Sequence, residues 1–247
     1  MHFQKKALFG SLALGFSLVF NQLLKNIFCV YRPWIRDARI HPYGNAVFTA
    51  TGYSFPSGHS QIAAATFGGV SYCYWREKSY ARFLIIAALL VGFSRNYLGC
   101  HTPQDVIVGL MVGALFVAAM HFALGWAWSR SGREKWIVIA GLLFKAFMLV
   151  FIELKSYPVT LVKGVPLVDP EKMKLDCYTN AGALAGLLLG YFLENKFVKL
   201  DIEVSWKRKT ARFAAGSGAG AFLFIALAMI FTYFGVNPKI AGFATTF

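Results

Sequence analysis

Acidic residues are scarce in this chain. Asp and Glu together number 11, against 25 Lys and Arg in 247 residues. Only Asp37 and Asp105 lie near the motifs described below, fewer carboxylates than a two-metal site needs. Charge of both signs reaches only 15% of the sequence, below what a soluble domain of this length carries. The four cysteines, Cys29, Cys73, Cys100 and Cys177, show no paired spacing, which argues against a disulfide framework or a zinc site.

Apolar residues take the place of charge. They make up 57% of the chain, and the mean hydropathy is +0.53. They fall into seven blocks, roughly 7–24, 58–75, 83–99, 103–128, 137–155, 178–195 and 213–235, each bounded by charge, Pro or Gly. A bilayer crossing takes about 20 residues, and backbone groups in lipid must pair within their own segment. The expected fold is therefore all-α: a polytopic transmembrane bundle of about seven spans, with 1–247 as a single integral membrane domain. The first block follows Lys5 and Lys6 as a signal peptide would. Asn21 and Lys25 follow its apolar core in place of a small-residue cleavage site, so it is read as a span. Gly182, Gly186 and Gly190, and Gly216 and Gly220, recur at a spacing that permits close helix contact, within the bundle or between copies.

Alternation of seven spans sorts the loops onto two sides. The N-terminus and the loops near 76–82, 129–136 and 196–212 carry fourteen Lys and Arg. The opposite side carries ten: Lys25, Arg32, Arg36, Arg39, Arg95, Lys155, Lys163, Lys172, Lys174 and Lys239. The richer side, where Trp75, Trp126, Trp128, Trp136 and Trp206 also cluster, is expected to be cytoplasmic. The formal net charge of +14 is spread over these loops and forms no soluble basic domain, which argues for anionic headgroups and against nucleic acid as the partner.

Three short stretches fall on the other, outer side: "KNIFCVYRP" at the end of block one, "PSGH" at the start of block two, and "SRNYLGCHTPQD" at the turn between blocks three and four. Lys25, Arg32 and Arg95 supply three cations, and the planar fork of arginine suits phosphate oxygens. Ser57 and Gly58 open a helix, where free N–H groups and the helix dipole favour an anion. His59 follows directly. His101 and Asp105 stand four apart and share a face if a helix starts at Thr102-Pro103, with Thr as cap and Pro at the first position. Two histidines, one carboxylate and a cluster of cations fit covalent phosphoryl transfer to histidine.

Lys-x6-Arg-Pro, Pro-Ser-Gly-His and Ser-Arg-x5-His-x3-Asp, in this order and spacing, resemble the three signatures of the type 2 phosphatidic acid phosphatase superfamily. This family, also called lipid phosphate phosphatases, is related to vanadium haloperoxidases and class A acid phosphatases. The resemblance covers residues 25–105, the catalytic motif region, and implies a bacterial membrane member. It implies that His101 attacks phosphorus, that Asp105 orients its ring, and that His59 protonates the leaving oxygen and then activates water. Lys25, Arg32, Ser57, Gly58 and Arg95 would hold the phosphoryl oxygens, and no metal or cofactor would be required. The implied substrate is a lipid phosphate or pyrophosphate, such as undecaprenyl pyrophosphate, phosphatidylglycerophosphate or phosphatidic acid. The implied location is the inner membrane, with the site facing away from the cytoplasm. Membrane members usually have two helices before the first motif; this chain has one.

Alternatives stay open at this stage. A lipid phosphotransferase would use the same intermediate, and a transporter or lipid-binding protein would carry damaged motifs. Asp105 also fits a capping box with Thr102. Lys145 and Glu153 are charges within a span, which makes them functional candidates by default; Glu153 edges a substrate pocket, snorkels to the interface or pairs structurally. His121 reads as structural, and Arg36, Arg39 and His41 lie in the outer loop. Residues 130–247 carry further helices of unassigned role.

Overall fold

Phe9, Leu12, Ala13, Phe16, Val19 and Leu23 recur every three or four positions and are all buried. The first apolar block is therefore a core helix, α1 (Phe3–Phe28), and not a detached leader. The computed structural model describes residues 3–50, 52–162, 165–199, 201 and 203–246; Lys163, counted above among the outer cations, lies outside them. Helix α1 stops at Cys29, which turns left-handed (φ 49°) while its N–H still bonds to the Lys25 carbonyl at 3.0 Å. Two short turns follow, α2 (Pro33–Arg36) and α3 (Ala46–Thr49).

The remaining blocks each fall on a helix. They are α4 (Gly58–Tyr74), α5 (Phe83–Tyr97), α6 (Pro103–Trp128), α7 (Glu134–Leu154), α8 (Pro170–Leu193) and α9 (Trp206–Tyr233). Helix α8 begins eight residues before the apolar block that predicts it. Asp169 caps it, accepting from the Glu171 N–H at 2.9 Å, and Pro170 occupies its first turn. Two features were not expected from the sequence. One is a two-stranded antiparallel ribbon, β1 (Leu161–Val162) with β2 (Val165–Pro166). The other is a short final helix, α10 (Pro238–Thr246), that folds back against α8.

Among the described residues, four stretches are long and apolar enough to cross a membrane: Gln4–Arg36, which holds all of α1 but its first residue, and helices α6, α7 and α9. Helices α4 and α5, at 17 and 15 residues, are shorter, and the first turns of α8 carry Glu171, Lys172, Lys174 and Asp176.

Helix α4 packs against both α5 and α6, and α1 packs against α4, α6 and α8. Two glycines allow α6 to approach α4 closely. A Cβ on Gly109 would stand 2.6 Å from the Ser57 carbonyl oxygen, and one on Gly113 would stand 2.5 Å from that of Gln61. Inside the bundle, Asn21 donates to Gln61 Oε1 (2.8 Å), and Gln61 donates to the Ser17 carbonyl (2.6 Å) and hydroxyl (2.8 Å). This polar clasp fixes α1 against α4 directly below the "PSGH" turn.

The intramembrane charges have structural partners. Glu153 accepts from Lys174 (3.1 Å) and Lys239 (3.0 Å), and Glu171 pairs with the same two lysines at 3.3 and 2.9 Å. The network ties α7, α8 and α10 together, which gives Glu153 a structural pairing role. The Lys145 ammonium sits 4.7 Å from the centroid of the Phe243 ring on α10, and His121 meets the Tyr72 hydroxyl. Helix α9 has no buried residue and, among the described elements, touches α10 alone.

Candidate active site

The third motif folds as its sequence demands. The Thr102 hydroxyl accepts from the Asp105 N–H (3.4 Å), and Asp105 Oδ2 accepts from the Thr102 N–H (2.8 Å), forming a complete capping box at the start of α6. The same oxygen lies 3.5 Å from His101 Nδ1. Asp105 therefore closes the helix and backs the histidine at once. Asn96 Nδ2 holds the His101 carbonyl at 2.9 Å, keeping the turn before α6 in place.

The second motif is docked onto the third through the backbone. The Ser57 N–H donates to the Asp105 carbonyl at 2.9 Å, and the Ser57 hydroxyl caps α4, accepting from the Ser60 N–H at 3.4 Å. Gly58 is the first residue of α4; a Cβ there would come within 3.3 Å of the Asn21 side-chain oxygen. His59 follows at the exposed mouth of the site, close enough to Arg95, Arg32 and Lys25 to feel all three charges.

The first motif arrives from α1. Lys25 is buried and donates to the Tyr53 carbonyl. Arg32 is buried too: its Nε donates to the Gly52 carbonyl (3.0 Å), and its Nη1 donates to the Cys100 carbonyl (3.2 Å) and to His101 Nε2 (2.8 Å). An arginine cannot accept, so the Nε2 lone pair faces Arg32 and the ring proton sits on Nδ1, toward Asp105. Arg95, from the last turn of α5, is 8% exposed, and its Nε and Nη2 have no hydrogen-bond partner. A buried guanidinium with two unmet donors is costly unless an anion completes it.

Burial above all lowers the pKa of His101. The hydrogen bond that Nδ1–H gives to Asp105 opposes the shift and the charges of Arg32 and Lys25 add to it, leaving the imidazole at about 4 and hence neutral at physiological pH. A neutral ring with Nδ1–H held toward a carboxylate and an unprotonated Nε2, its lone pair now accepting from Arg32, is a nucleophile in form once that contact is given up. Among the described residues no three His, Cys, Asp or Glu side chains converge as metal ligands would.

All eight residues singled out from the sequence surround this one locus. Reading the sequence missed the backbone acceptors at Gly52, Tyr53 and Cys100, and it missed Ser54. The Ser54 hydroxyl is fully buried, donates to Asp105 Oδ2 at 2.6 Å and lies 3.4 Å from His101 Nδ1. Its only signal in the sequence is its position two residues before Pro56 of the second motif.

The family profile described as "PAP2 superfamily" matches residues 6–130, just over half of the chain. The chain belongs to the PAP2 superfamily. A second profile, "PAP2 superfamily phosphatase, transmembrane extension", matches residues 178–247, the region that holds most of α8 together with α9 and α10. Among curated proteins, a lipid A 1-phosphatase of Rhizobium johnstonii is 36% identical over 108 residues, covering 42% of this chain and 43% of the relative. Phosphatidylglycerophosphatase B of Bacillus subtilis is 34% identical over 126 residues, 47% of this chain and 58% of the relative. An undecaprenyl-diphosphatase of Sulfolobus acidocaldarius is 42% identical over 64 residues, 26% of this chain and 30% of the relative. The matches thus span between 30% and 58% of these relatives' own length. No solved structure matches.

Proposed function

We propose that this PAP2 protein hydrolyses the phosphate of a membrane lipid phosphate or pyrophosphate through a phosphohistidine on His101. The observation that carries the reading is the buried Arg95 guanidinium with two donors unmet, beside an Arg32 that already touches His101 Nε2. The site has cations in excess and one neutral nucleophilic nitrogen among them. That fits a phosphoryl group and little else.

In this reading a phosphoryl oxygen takes over the Arg32 N–H now given to His101, and others reach Arg95, Lys25, the Ser57 hydroxyl and the N–H of Gly58. The Nε2 lone pair attacks phosphorus; the N–P bond forms as the bond to the leaving oxygen breaks, and His59 delivers a proton to that oxygen. The positive charge on the phosphorylated ring is met by Asp105 through Nδ1–H. His59, now neutral, takes a proton from water, whose oxygen displaces the imidazole and releases inorganic phosphate. Asp105 keeps its charge throughout and acts by orientation.

We further propose that residues 1–247 act as one membrane domain with seven spans and the site at the outer interface. The charge asymmetry of the loops and the helix at each apolar block support this. The relatives named above are called phosphatases of lipid A, phosphatidylglycerophosphate and undecaprenyl pyrophosphate, which makes those lipids, with phosphatidic acid, the first candidates. The test is phosphate release by the purified protein from a panel of these lipids with chelator present. Free phosphate from at least one supports hydrolysis; phosphate recovered only on an added lipid alcohol would make the protein a phosphotransferase; no turnover of any would overturn the reading.

A further inference from the structure

Asp105 Oδ2 receives the Ser54 hydroxyl at 2.6 Å and the Thr102 N–H at 2.8 Å, while His101 Nδ1 stands farther off at 3.5 Å. The histidine is thus the weakest claimant on the oxygen behind it. Ser54 Oγ also lies 3.4 Å from Nδ1, so one hydroxyl touches both members of the pair. Its orientation is not imposed by its own backbone. The Ser54 N–H is engaged separately, donating to the Val30 carbonyl at 2.7 Å, and the hydroxyl reaches a carboxylate 51 positions away. A buried serine serving only packing would return its hydroxyl to a nearby carbonyl.

We propose that Ser54 is a positioning residue of this site: its hydroxyl fixes the Asp105 carboxylate and moderates how strongly that carboxylate draws the Nδ1 proton of His101. The inference rests on the phosphohistidine reading above. As phosphorus bonds to Nε2 the ring gains positive charge, and its pull on Asp105 grows. A carboxylate already shared with Ser54 and Thr102 draws the proton less in the resting enzyme, keeping the ring neutral and ready to attack. It still answers when the ring becomes cationic. Removing the hydroxyl frees negative charge on Oδ2, which raises the proton affinity of both the imidazole and the carboxylate. The other charged groups bearing on the pair are Lys25 from α1 and Arg32 after it; Arg95 from α5 and the Cys100 thiol act on Arg32, Asp176 of α8 acts on Lys25, and His59 from α4 lies among the same cations. None of them is changed by a substitution at Ser54.

The experiment compares Ser54→Ala and Ser54→Thr with the unaltered full-length protein, using whichever lipid phosphate of the panel turns over fastest and measuring kcat/KM from mildly acidic to mildly alkaline pH. Ser54→Ala is expected to lose about ten- to hundredfold at neutral pH, the usual cost of one hydrogen bond to a charged group. The ratio of variant to unaltered protein should fall further as the pH is lowered, because the imidazole is protonated earlier. Ionisation of the substrate cancels in that ratio. Ser54→Thr, which keeps the hydroxyl, should restore both the level and the profile. A ratio constant across pH, or a threonine variant no better than alanine, would overturn the proposal. If Ser54→Ala does not fold, Ser54→Cys, a weaker donor of similar size, is read by the same ratio. An active His101→Ala protein would remove the underlying reading itself; an inactive one combined with a flat Ser54→Ala ratio would remove only the role of Ser54.

Discussion

Arg32 gives a guanidinium hydrogen bond to His101 Nε2 at 2.8 Å, although 69 positions separate the two residues. The contact protects the nitrogen that would attack phosphorus, and it must be surrendered when substrate arrives. Replacing Arg32 with Lys should keep a charge but lose the planar fork that holds Gly52, Cys100 and His101 together. The expected result is a protein that still folds and has a higher KM. An unchanged KM in steady-state phosphate release would contradict this.

His101→Ala should abolish turnover, and Asp105→Asn should reduce it strongly. His59→Ala should cost about 10²–10⁴-fold, the usual range for a lost general acid or base. Rapid acid-free quenching with radiolabelled substrate should trap label on the unaltered protein and none on His101→Ala. Label retained by the His101 variant would assign the nucleophile elsewhere.

Arg95→Ala should lower kcat/KM by roughly 10²-fold, as loss of one donor to developing negative charge does elsewhere. The free protein should lose no stability, since two donors that now lack partners disappear with it. Thermal unfolding in detergent, run beside the kinetics, checks both halves. A variant both inactive and markedly less stable would mean that Arg95 holds the fold together.

The pH dependence of stability carries a signature of His101. Its pKa is about 4 in the folded chain against an ordinary 6.5. Above 6.5 the ring is neutral whether folded or unfolded. As the pH falls from there to about 4, the unfolded chain binds a proton that the folded chain refuses, so stability is lost across that window. In His101→Asn the melting temperature should fall less steeply between pH 6.5 and 4 than in the unaltered protein. Parallel slopes would mean that the folded imidazole titrates normally.

Activity should survive a chelator, and vanadate should inhibit by filling the phosphoryl site. Loss of activity in EDTA with recovery on adding magnesium or zinc would require a different mechanism. Sidedness is tested with single cysteines at Asn45 and Ser131, both exposed, in a background lacking the native four. An impermeant thiol reagent on intact cells should label position 45 and spare 131; the reverse would place the site in the cytoplasm.

The helices were legible because an apolar block flanked by charge has one solution in lipid. The capping box was legible because Thr102, Pro103 and Asp105 signal locally. Helix α10 was not, because nine residues containing Lys239 and two threonines carry no span-length signal. Its place is set by α8, where Thr246 reaches the Thr179 carbonyl at 2.8 Å, and by the ion pairs of Lys239. The eight candidate site residues were readable as three motifs, but their supports were not. Gly52, Tyr53 and Cys100 act through backbone carbonyls, which any residue owns. Ser54 acts through a hydroxyl whose partner is 51 positions away, a distance no local pattern spans.

The double duty of Asp105 has a mechanical result. The carboxylate that closes the first turn of α6 is the one that stands behind His101. Fraying of that turn also withdraws the carboxylate from the imidazole, leaving the ring to Arg32 and Ser54. A ragged start to α6 therefore costs the helix its cap and the imidazole its carboxylate together.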